Sequence, residues 1–151
     1  MFPTLLELAG LTGSPASVGL QGESLVPLLA DPSLPALPAR PFAYSQYPRR
    51  QSPCPGLECS YPHAMGYTVR TPQYRFTQWV DYNNNSFTPN FDPTTSKTFQ
   101  QELYAHDGDS GSNWTAFERH NLVADPAFAE VVRNLTAVLH AGPNLLQPTH
   151  A

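Results

Sequence analysis

The sequence predicts an α+β fold in which a small antiparallel sheet of about four strands is packed by a C-terminal amphipathic helix. Residues 65–80 alternate on both sides of Pro72, as two strands joined by a turn do. Residues 125–141 repeat apolar side chains at helical spacing. Residues 42–47 and 101–104 supply two further candidate strands, which leaves one sheet face for the helix to cover.

Composition limits the chain to one modest domain. Its 151 residues are 40% hydrophobic, which is enough for one core and too little for two large domains. The 17 prolines concentrate between residues 15 and 62 and near the C-terminus, which indicates long structured loops. No stretch reaches the roughly 18 consecutive apolar residues of a membrane span, so no membrane partner is expected.

The charge of the chain argues against nucleic-acid binding but leaves local anion binding possible. The formal net charge of −4 argues against nonspecific nucleic-acid binding, which needs a basic surface that releases counterions. Residues 40–75 nevertheless contain a single acid, Glu58, and five of the eight cationic residues, which are Arg40, Arg49, Arg50, Arg70 and Arg75. These arginines either face an anion or solvate a sheet edge, and both interpretations remain open.

The chain opens on a predicted short helix. Residues 2–9 are mostly apolar, and Gly10 can take the left-handed conformation that follows a helix end. Three leucines are expected to pack inward, namely Leu5, Leu6 and Leu8. Without a covering domain they would form an exposed apolar patch. Because this opening lacks the basic start and length of a signal peptide, we expect a partial chain.

A linker is predicted between this opening and the rest of the chain. Residues 21–29 indicate a loop and a helical turn, and the proline-rich residues 32–41 follow. We therefore divide the single predicted domain into a junction segment, residues 1–31, the linker, and a sheet-plus-helix region, residues 42–151.

Four strands are predicted in the sheet-plus-helix region. Residues 42–47 alternate bulky and small side chains, and Pro48 is expected to end this strand by removing a ladder donor. The strand should pair beside the hairpin of residues 65–80, and residues 101–104 should add the fourth strand. In the second half of the hairpin, Tyr74, Phe76 and Gln78 oppose Arg75, Thr77 and Trp79.

The last predicted element is an amphipathic helix over residues 125–141. Asp125 supplies an N-cap, Pro126 occupies the first helical position, and Gly142 with Pro143 ends the run. The apolar stripe expected to pack on the sheet consists of Phe128, Val131, Val132, Leu135, Val138 and Leu139. The opposite face carries Glu130, Arg133, Asn134 and Ala137.

Two cysteines bracket a predicted turn. They lie in Cys54-Pro55-Gly56-Leu57-Glu58-Cys59, where the Pro-Gly pair favours a turn that brings the two thiols together. A small disulfide-closed loop is the leading interpretation, with reduced thiols and a metal site using His63 as alternatives. Zinc requires four ligands and no fourth stands nearby, so no metal ligand is predicted.

Three N-x-Ser/Thr sequons begin at Asn84, Asn113 and Asn134 and mark candidate glycosylation sites that would face solvent. Together with the paired cysteines they favour a lysosomal, secreted or vacuolar protein over a cytosolic one.

No nucleophilic catalytic arrangement is predicted from the residues themselves. The chain has no G-x-S-x-G motif, which marks the exposed serine of many hydrolases. We interpret all five histidines as solvated or locally hydrogen-bonded residues and not as catalytic bases. These are His63, His106, His120, His140 and His150.

Several motifs in chain order resemble the sulfatase family. Residues 1–11, MFPTLLELAGL, are similar to the family segment D-x-x-P-T-L-L-E-L-A-G-L without its leading aspartate. Residues 21–29, QGESLVPLL, are similar to Q-G-x-S-L-x-P-L-L. The closing family element is matched by Glu102-Leu103-Tyr104, Asn121-Leu122 and Asp125-Pro126, with Ala105 in place of its usual aspartate. The chain thus resembles the C-terminal part of a sulfatase over nearly its whole length.

Three further segments indicate which group of sulfatases the chain resembles. Residues 43–49, 65–71 and 74–80 most closely resemble sulfatases that act on the uronic acids of glycosaminoglycans. The resemblance implies a full-length enzyme in which formylglycine, an oxidised cysteine, attacks a sulfate ester beside a calcium ion. It also implies an upstream catalytic domain as partner, a sulfated glycosaminoglycan as substrate, and a lysosomal or secretory location.

No catalytic residue is expected in this chain. Neither Cys54 nor Cys59 fits the C-x-P-x-R motif that becomes formylglycine, and the sequence has neither an Asp-Asp nor an Asp-His pair for calcium. By itself the chain is predicted to be inactive. If any residues reach the substrate, we expect Gln46, Tyr47 and Arg49, because a guanidinium can engage the carboxylate of a uronic acid at two points.

A function from another class is the alternative. The chain could be a non-catalytic binding module for acidic carbohydrate, with arginines beside an aromatic platform. The candidate aromatics are Tyr44, Tyr47, Tyr61, Tyr67, Tyr74 and Trp79. Their period-two placement on strands favours core packing over a platform.

Overall fold

The computed structural model describes residues 2–11, 23–34, 42–49, 63–112 and 116–142. The chain forms two compact units, Met1–Pro41 and Phe42–Ala151. Within the described residues, no helix has the length and apolar character needed to cross a lipid bilayer.

Two short helices make up the described part of the first unit. Helix α1 spans Phe2–Leu8, and Gly10 follows it with a φ of +66°, the left-handed conformation that the sequence predicts there. Helix α2 spans Val26–Ala30. The N–H of Leu25 donates to Thr4 Oγ1 at 3.0 Å, so a side chain of α1 holds the start of α2.

The predicted inward packing of the α1 leucines is wrong for Leu5 and Leu8, which are 60% and 63% exposed, while Leu6 is half-buried. The buried residues of α1 are Pro3 and Thr4, because Thr4 faces the start of α2. Large apolar side chains are therefore left in water. This exposed set, the α1 stripe, consists of Phe2, Leu5, Leu8 and Leu11.

The second unit is built on a five-stranded antiparallel sheet. Its strands are β1 (Ala43–Arg49), β2 (Ala64–Arg70), β3 (Tyr74–Asn83), β4 (Thr88–Asn90) and β5 (Gln100–Ala105). Strand β3 is central, since β2 pairs along one edge of it while β5 and β4 share the other. Strand β1 pairs with the far edge of β2. The α+β prediction is confirmed, with one short strand more than expected.

Strand β1 extends beyond its predicted end. Sequence reasoning ended it at Tyr47 because Pro48 lacks an N–H, but pairing continues through Pro48 opposite Met65 to Arg49 opposite Ala64. Strand β1 lies at the edge of the described sheet, and proline is tolerated there when its missing N–H faces away from the neighbouring strand. Arg49 is thereby fixed as a strand residue.

Asp81 marks the point where β3 changes partner from β5 to β4. Its N–H donates to Ser96 Oγ at 2.9 Å, and its carboxylate accepts from Lys97 N, Thr98 N and Thr98 Oγ1 at 2.7, 3.0 and 2.7 Å. Partial burial raises the pKa of Asp81, but these hydrogen bonds outweigh it and hold the pKa below its usual value. The connection between β4 and β5 is thus tied to β3.

The C-terminal helix, α3, spans Ala129–Ala141. It follows a 3₁₀ turn over Pro126–Phe128, and the side chain of Asp125 caps that turn by accepting from Ala127 N at 2.9 Å. The predicted cap is confirmed, although the first turn is tighter than an α-helix. Every residue of the predicted apolar stripe lies in or against the core, and every residue of the predicted opposite face is exposed.

The core lies between α3 and one face of the sheet. Its buried apolar side chains are Met65, Tyr67, Val69, Phe76, Val80, Leu103, Leu135 and Leu139. Two polar contacts add to this packing, since Tyr44 Oη donates to the carbonyl of Val138 at 3.3 Å and His140 Nε2 lies 2.7 Å from Gln78 Oε1. Helix α3 is therefore held on the sheet by these polar contacts as well as by the burial of apolar side chains.

Candidate functional site

The candidate site lies on the sheet face that α3 does not cover, which we name the open face. Strand alternation and register place on it Tyr47, Arg49, Gly66, Trp79 and Glu102 at one end, and Arg70, Arg75 and Tyr104 at the other. The hydroxyls of Thr68 and Thr77, 2.8 Å apart, lie between the two ends.

Trp79 is fixed from two sides. It pairs directly with Gly66 of β2, and a Cβ added to Gly66 would lie 2.7 Å from Trp79 Cζ3, so the indole occupies the space that any larger residue would fill. On the β5 side, Trp79 Nε1 donates to Glu102 Oε1 at 2.9 Å. The ring is therefore held across three strands.

Arg49 rests on this ring. Its guanidinium carbon lies 4.1 Å from the centre of the Trp79 ring, within the range of a cation–π contact. Tyr47, two residues earlier on the same face of β1, is 69% exposed. This end of the open face therefore presents a stacked cation beside an aromatic ring, and we name the trio Tyr47, Arg49 and Trp79 the stacked patch.

A closed network of charges occupies the other end of the open face. Arg75 Nη2 donates to Glu118 Oε2 at 2.6 Å, and its buried Nε lies 2.5 Å from Oε1 without the angle of a hydrogen bond. Arg70 Nη2 lies 3.6 Å from Asp109 Oδ2. Both arginines are thus neutralised by carboxylates.

His106 joins the two carboxylates of this network. It is buried, with Nδ1 2.8 Å from Asp109 Oδ2 and Nε2 3.0 Å from Glu118 Oε1, and its ring stacks on Phe117 at 5.5 Å. The hydrogen bonds from His106 and from Gly111 N–H lower the pKa of Asp109 below its usual value. The expectation that His106 is either solvated or locally hydrogen-bonded is met by local hydrogen bonds.

The contrast between the two ends singles out Arg49. Of the three arginines on the open face within the described residues, Arg70 and Arg75 face carboxylates, whereas no described carboxylate pairs with Arg49. Its planar face rests on the indole, which leaves the N–H groups at its edge available to an anion. Arg49 is therefore the open-face cation suited to bind a carboxylate or a sulfate.

The structure brings together two of the three predicted substrate-adjacent residues. Tyr47 and Arg49 lie on the open face, while alternation places Gln46 on the other face with Tyr44, whose hydroxyl bonds to α3. Whether Gln46, Tyr47 and Arg49 contact substrate stays a prediction.

The predicted modification sites are only partly within the described residues. Asn84 lies, half-buried, in the turn between β3 and β4, and Asn134 is exposed on α3. Cys54, Cys59 and Asn113 lie outside the described residues. The disulfide and the three glycosylation sites therefore stay predictions.

Sequence reasoning did not predict the residues that contact Arg49 or hold its aromatic partner. These are Trp79, on which Arg49 stacks, and Gly66 and Glu102, which contact the Trp79 ring. One signal was available, because a glycine in a strand interior often marks the close approach of another group. Once the hairpin turn sets the register, Gly66 falls opposite Trp79. The contacts of Arg49 and Glu102 with the indole carry no comparable sequence signal.

The calcium ion and formylglycine implied by the resemblance find no fit among the described residues. Calcium takes six to eight oxygen ligands, and in the described ranges no three His, Cys, Asp or Glu side chains form a group able to hold a metal. The described residues therefore supply no ligand set through which calcium could act.

Comparison with known proteins gives two curated relatives, and no family model matches the chain. The chain is 35% identical over 144 residues to iduronate 2-sulfatase of Homo sapiens, a match that covers 83% of this chain and 24% of that protein. It is 30% identical over 154 residues to iduronate 2-sulfatase of Mus musculus, with 89% and 26% covered. The chain thus spans about a quarter of the length of these relatives. By its motifs and these similarities, the chain resembles the C-terminal portion of a sulfatase, iduronate 2-sulfatase.

Proposed function

We propose that this chain is the C-terminal portion of a sulfatase that hydrolyses sulfate esters on glycosaminoglycan uronic acids, and that it shapes the substrate site without supplying the nucleophile. The observation that carries the proposal is the guanidinium of Arg49, stacked on Trp79 without a carboxylate partner in the described chain. Similarity to iduronate 2-sulfatase supports the same substrate class.

The stacked patch has the chemistry that a sulfated uronic acid needs. Such a sugar carries a carboxylate and a sulfate, and a guanidinium donates two parallel N–H bonds to either group. The exposed ring of Tyr47 can pack against the apolar face of a pyranose while its hydroxyl stays in water. Charge and shape therefore favour an acidic sugar over a neutral one.

The partner of this chain is the catalytic portion of the sulfatase, which would carry formylglycine and calcium. The α1 stripe supports this partner, because four large apolar side chains between 57% and 63% exposed form a patch that a soluble monomer rarely leaves uncovered. We place the complete enzyme in the lysosome or secretory pathway, and the exposure of Asn134 is compatible with glycosylation there.

Sequencing the transcript upstream of Met1 tests the proposal. We expect an in-frame C-x-P-S-R motif and paired aspartates in the upstream coding sequence. An authentic translation start at Met1 without them would overturn the proposed role in an active sulfatase and leave a catalytically dead relic or the binding-module alternative.

Replacement of Arg49 then tests the substrate contact. In the complete enzyme, Arg49→Ala should raise KM for a sulfated iduronate substrate by roughly tenfold or more with kcat little changed, because charged hydrogen bonds contribute about 1.5–3 kcal/mol to binding. Arg133→Ala is the matched control, since Arg133 is exposed on α3, away from the open face. An unchanged KM in Arg49→Ala, with folding intact, would remove Arg49 from the substrate site.

The second candidate function is a non-catalytic binding module for acidic carbohydrate. The same stacked patch favours it, because an arginine stacked on Trp79 beside the exposed ring of Tyr47 can bind an acidic sugar without any nucleophile. Titration of the isolated chain with dermatan sulfate or heparan sulfate oligosaccharides tests this candidate. Saturable binding that Arg49→Ala abolishes would support it, and absence of binding by the wild-type chain would refute it.

A further inference from the structure

Trp79 has contacts that a packing role does not require. Its ring lies on the open face, outside the core beneath α3, and it is only partly buried. It nevertheless meets a separate partner in each of three directions, which are Gly66, Glu102 and Arg49.

Gly66 makes the position of the ring possible. Tyr47 and Trp79 flank Gly66 across β1, β2 and β3, so a side chain at Gly66 would stand between them. A Cβ there would lie within 2.7 to 2.9 Å of three ring carbons of Trp79, closer than non-bonded atoms come. The indole can lie across β2 only because residue 66 is glycine.

Glu102 fixes the rotation of the ring. The indole N–H is a donor only, and Glu102 Oε1 accepts from it at 2.9 Å. Gly66 sets where the six-membered ring of Trp79 lies, and Glu102 sets where its indole nitrogen points. These two contacts therefore determine the plane of the Trp79 ring without any contribution from Arg49.

We infer that Trp79, seated by Gly66 and Glu102, is a positioning residue that holds the Arg49 guanidinium flat so that its N–H edge faces a carboxylate or sulfate. An arginine otherwise loses much side-chain freedom when it binds an anion, and an arginine already oriented loses less. This inference rests on the proposed anion-binding role of Arg49 and adds the three residues that prepare it.

The first test measures the position of Arg49 without a ligand. In the NMR spectrum of the whole chain, the ring current of Trp79 should shift the side-chain Nε–Hε signal of Arg49 upfield. The shift should vanish in Trp79→Leu and change in Gly66→Ala, which displaces the ring without removing it. Trp79→Phe, which keeps an aromatic face, should retain part of it. An Arg49 signal identical in the wild type, Trp79→Leu and Gly66→Ala overturns the inference.

Folding is checked in the same spectra. Signals of Phe76 and Leu103, which are fully buried on the other face, should remain in place in every variant. Where Trp79→Leu perturbs them, Gly66→Ala decides the question, because it leaves the indole in the protein.

The second test separates positioning from simple structural support by using a dermatan sulfate octasaccharide as probe. We expect Arg49→Ala to weaken binding by roughly tenfold or more and Trp79→Leu by roughly two- to fivefold, the range of an exposed cation–π contact. The double variant should bind no more weakly than Arg49→Ala alone, because Trp79 acts through Arg49. Additive losses would overturn the inference. If the wild-type chain does not bind the probe, the binding-module candidate fails, and the Arg49 signal alone decides whether Trp79 positions Arg49.

Discussion

At the scale of single residues, His106 and His140 occupy opposite electrostatic surroundings. His106 lies between the carboxylates of Asp109 and Glu118, with Nδ1 2.8 Å from Asp109 Oδ2 and Nε2 3.0 Å from Glu118 Oε1. His140 instead packs against the ring of Phe91 at 4.4 Å, and burial lowers its pKa below the usual 6.5. Although much of the residue stays exposed, its ring is partly removed from water and favours the neutral form.

The lowered pKa of His140 predicts a loss of stability in acid. The unfolded chain takes up a proton near pH 6.5, while the folded chain does so only at lower pH. The contribution of His140 is therefore complete above about pH 6.5 and is lost as pH falls through the folded pKa. Between about pH 7.5 and about pH 5, the urea unfolding free energy should fall more in the wild type than in His140→Gln.

Exposed His120 provides the control for this prediction, because it lies outside the core on a described loop. The pH dependence of His120→Gln should match that of the wild type. A His140→Gln variant whose stability falls as steeply as that of the wild type would show that His140 does not titrate against folding.

At this scale, the sequence predicted only some of the features of the open face. It assigned Arg49 to the anion on chemical grounds, but by ending β1 at Tyr47 it left Arg49 outside the strand, where alternation says nothing about its direction. With Pro48 inside β1, the same alternation separates Gln46 from Arg49. The contact between Arg49 and Trp79 depends on side-chain packing across strands, which a period-two pattern does not encode.

At the scale of elements, α3 depends on its cap. Asp125 accepts from Ala127 N in the 3₁₀ turn that starts the helix, and α3 supplies the core residues Leu135 and Leu139. Asp125→Ala should lower the unfolding free energy by about 1 kcal/mol, the usual effect of losing an N-cap. Urea denaturation measures it.

The matched control for the cap is Asp107→Ala, since Asp107 is also an exposed aspartate but lies in the loop after β5. It should leave stability nearly unchanged. Equal losses in the two variants would mean that net charge, and not the cap, accounts for the effect of Asp125→Ala.

The elements differ in how far sequence could predict them. The cap, the proline and the apolar stripe of α3 are local signals, so its extent was predicted closely. Strand β4 has three residues and contains Pro89, which leaves too little chain to show alternation. It exists because β3 is long enough to pair with both β5 and β4, and that is a tertiary effect.

At the scale of the whole molecule, the α1 stripe predicts self-association. Phe2, Leu5, Leu8 and Leu11 expose apolar surface that gains free energy when it is buried. Light scattering at high protein concentration should detect dimers or larger species of the wild-type chain. The double variant Leu5→Gln with Leu8→Gln should reduce them.

Phe87 supplies the control for self-association, because it is 61% exposed but lies in the turn between β3 and β4. Phe87→Gln should leave the association of the chain unchanged. Monodisperse monomers of the wild-type chain at high concentration would contradict the prediction and favour a self-sufficient module.

The fold class and the resemblance to sulfatases were predictable from sequence at this scale, since alternation, helical period and ordered motifs are all local patterns. For the α1 leucines, the expected inward packing is wrong for Leu5 and Leu8, whereas the exposed patch expected without a covering domain is observed for both. Inward packing requires a partner, and the described part of the first unit offers α1 only the start of α2, which Thr4 already meets. The periodicity of an apolar helix indicates that a face is buried without indicating what buries it.

Pro48 has a consequence for how copies of this protein meet. The edge of a sheet can act as a template on which strands of other molecules add, and this is how fibrils grow. At the β1 edge, an incoming strand meets a residue that offers no N–H, followed by the positive charge of Arg49. Association through the α1 stripe should therefore yield amorphous or small assemblies, while the β1 edge resists ordered cross-β growth.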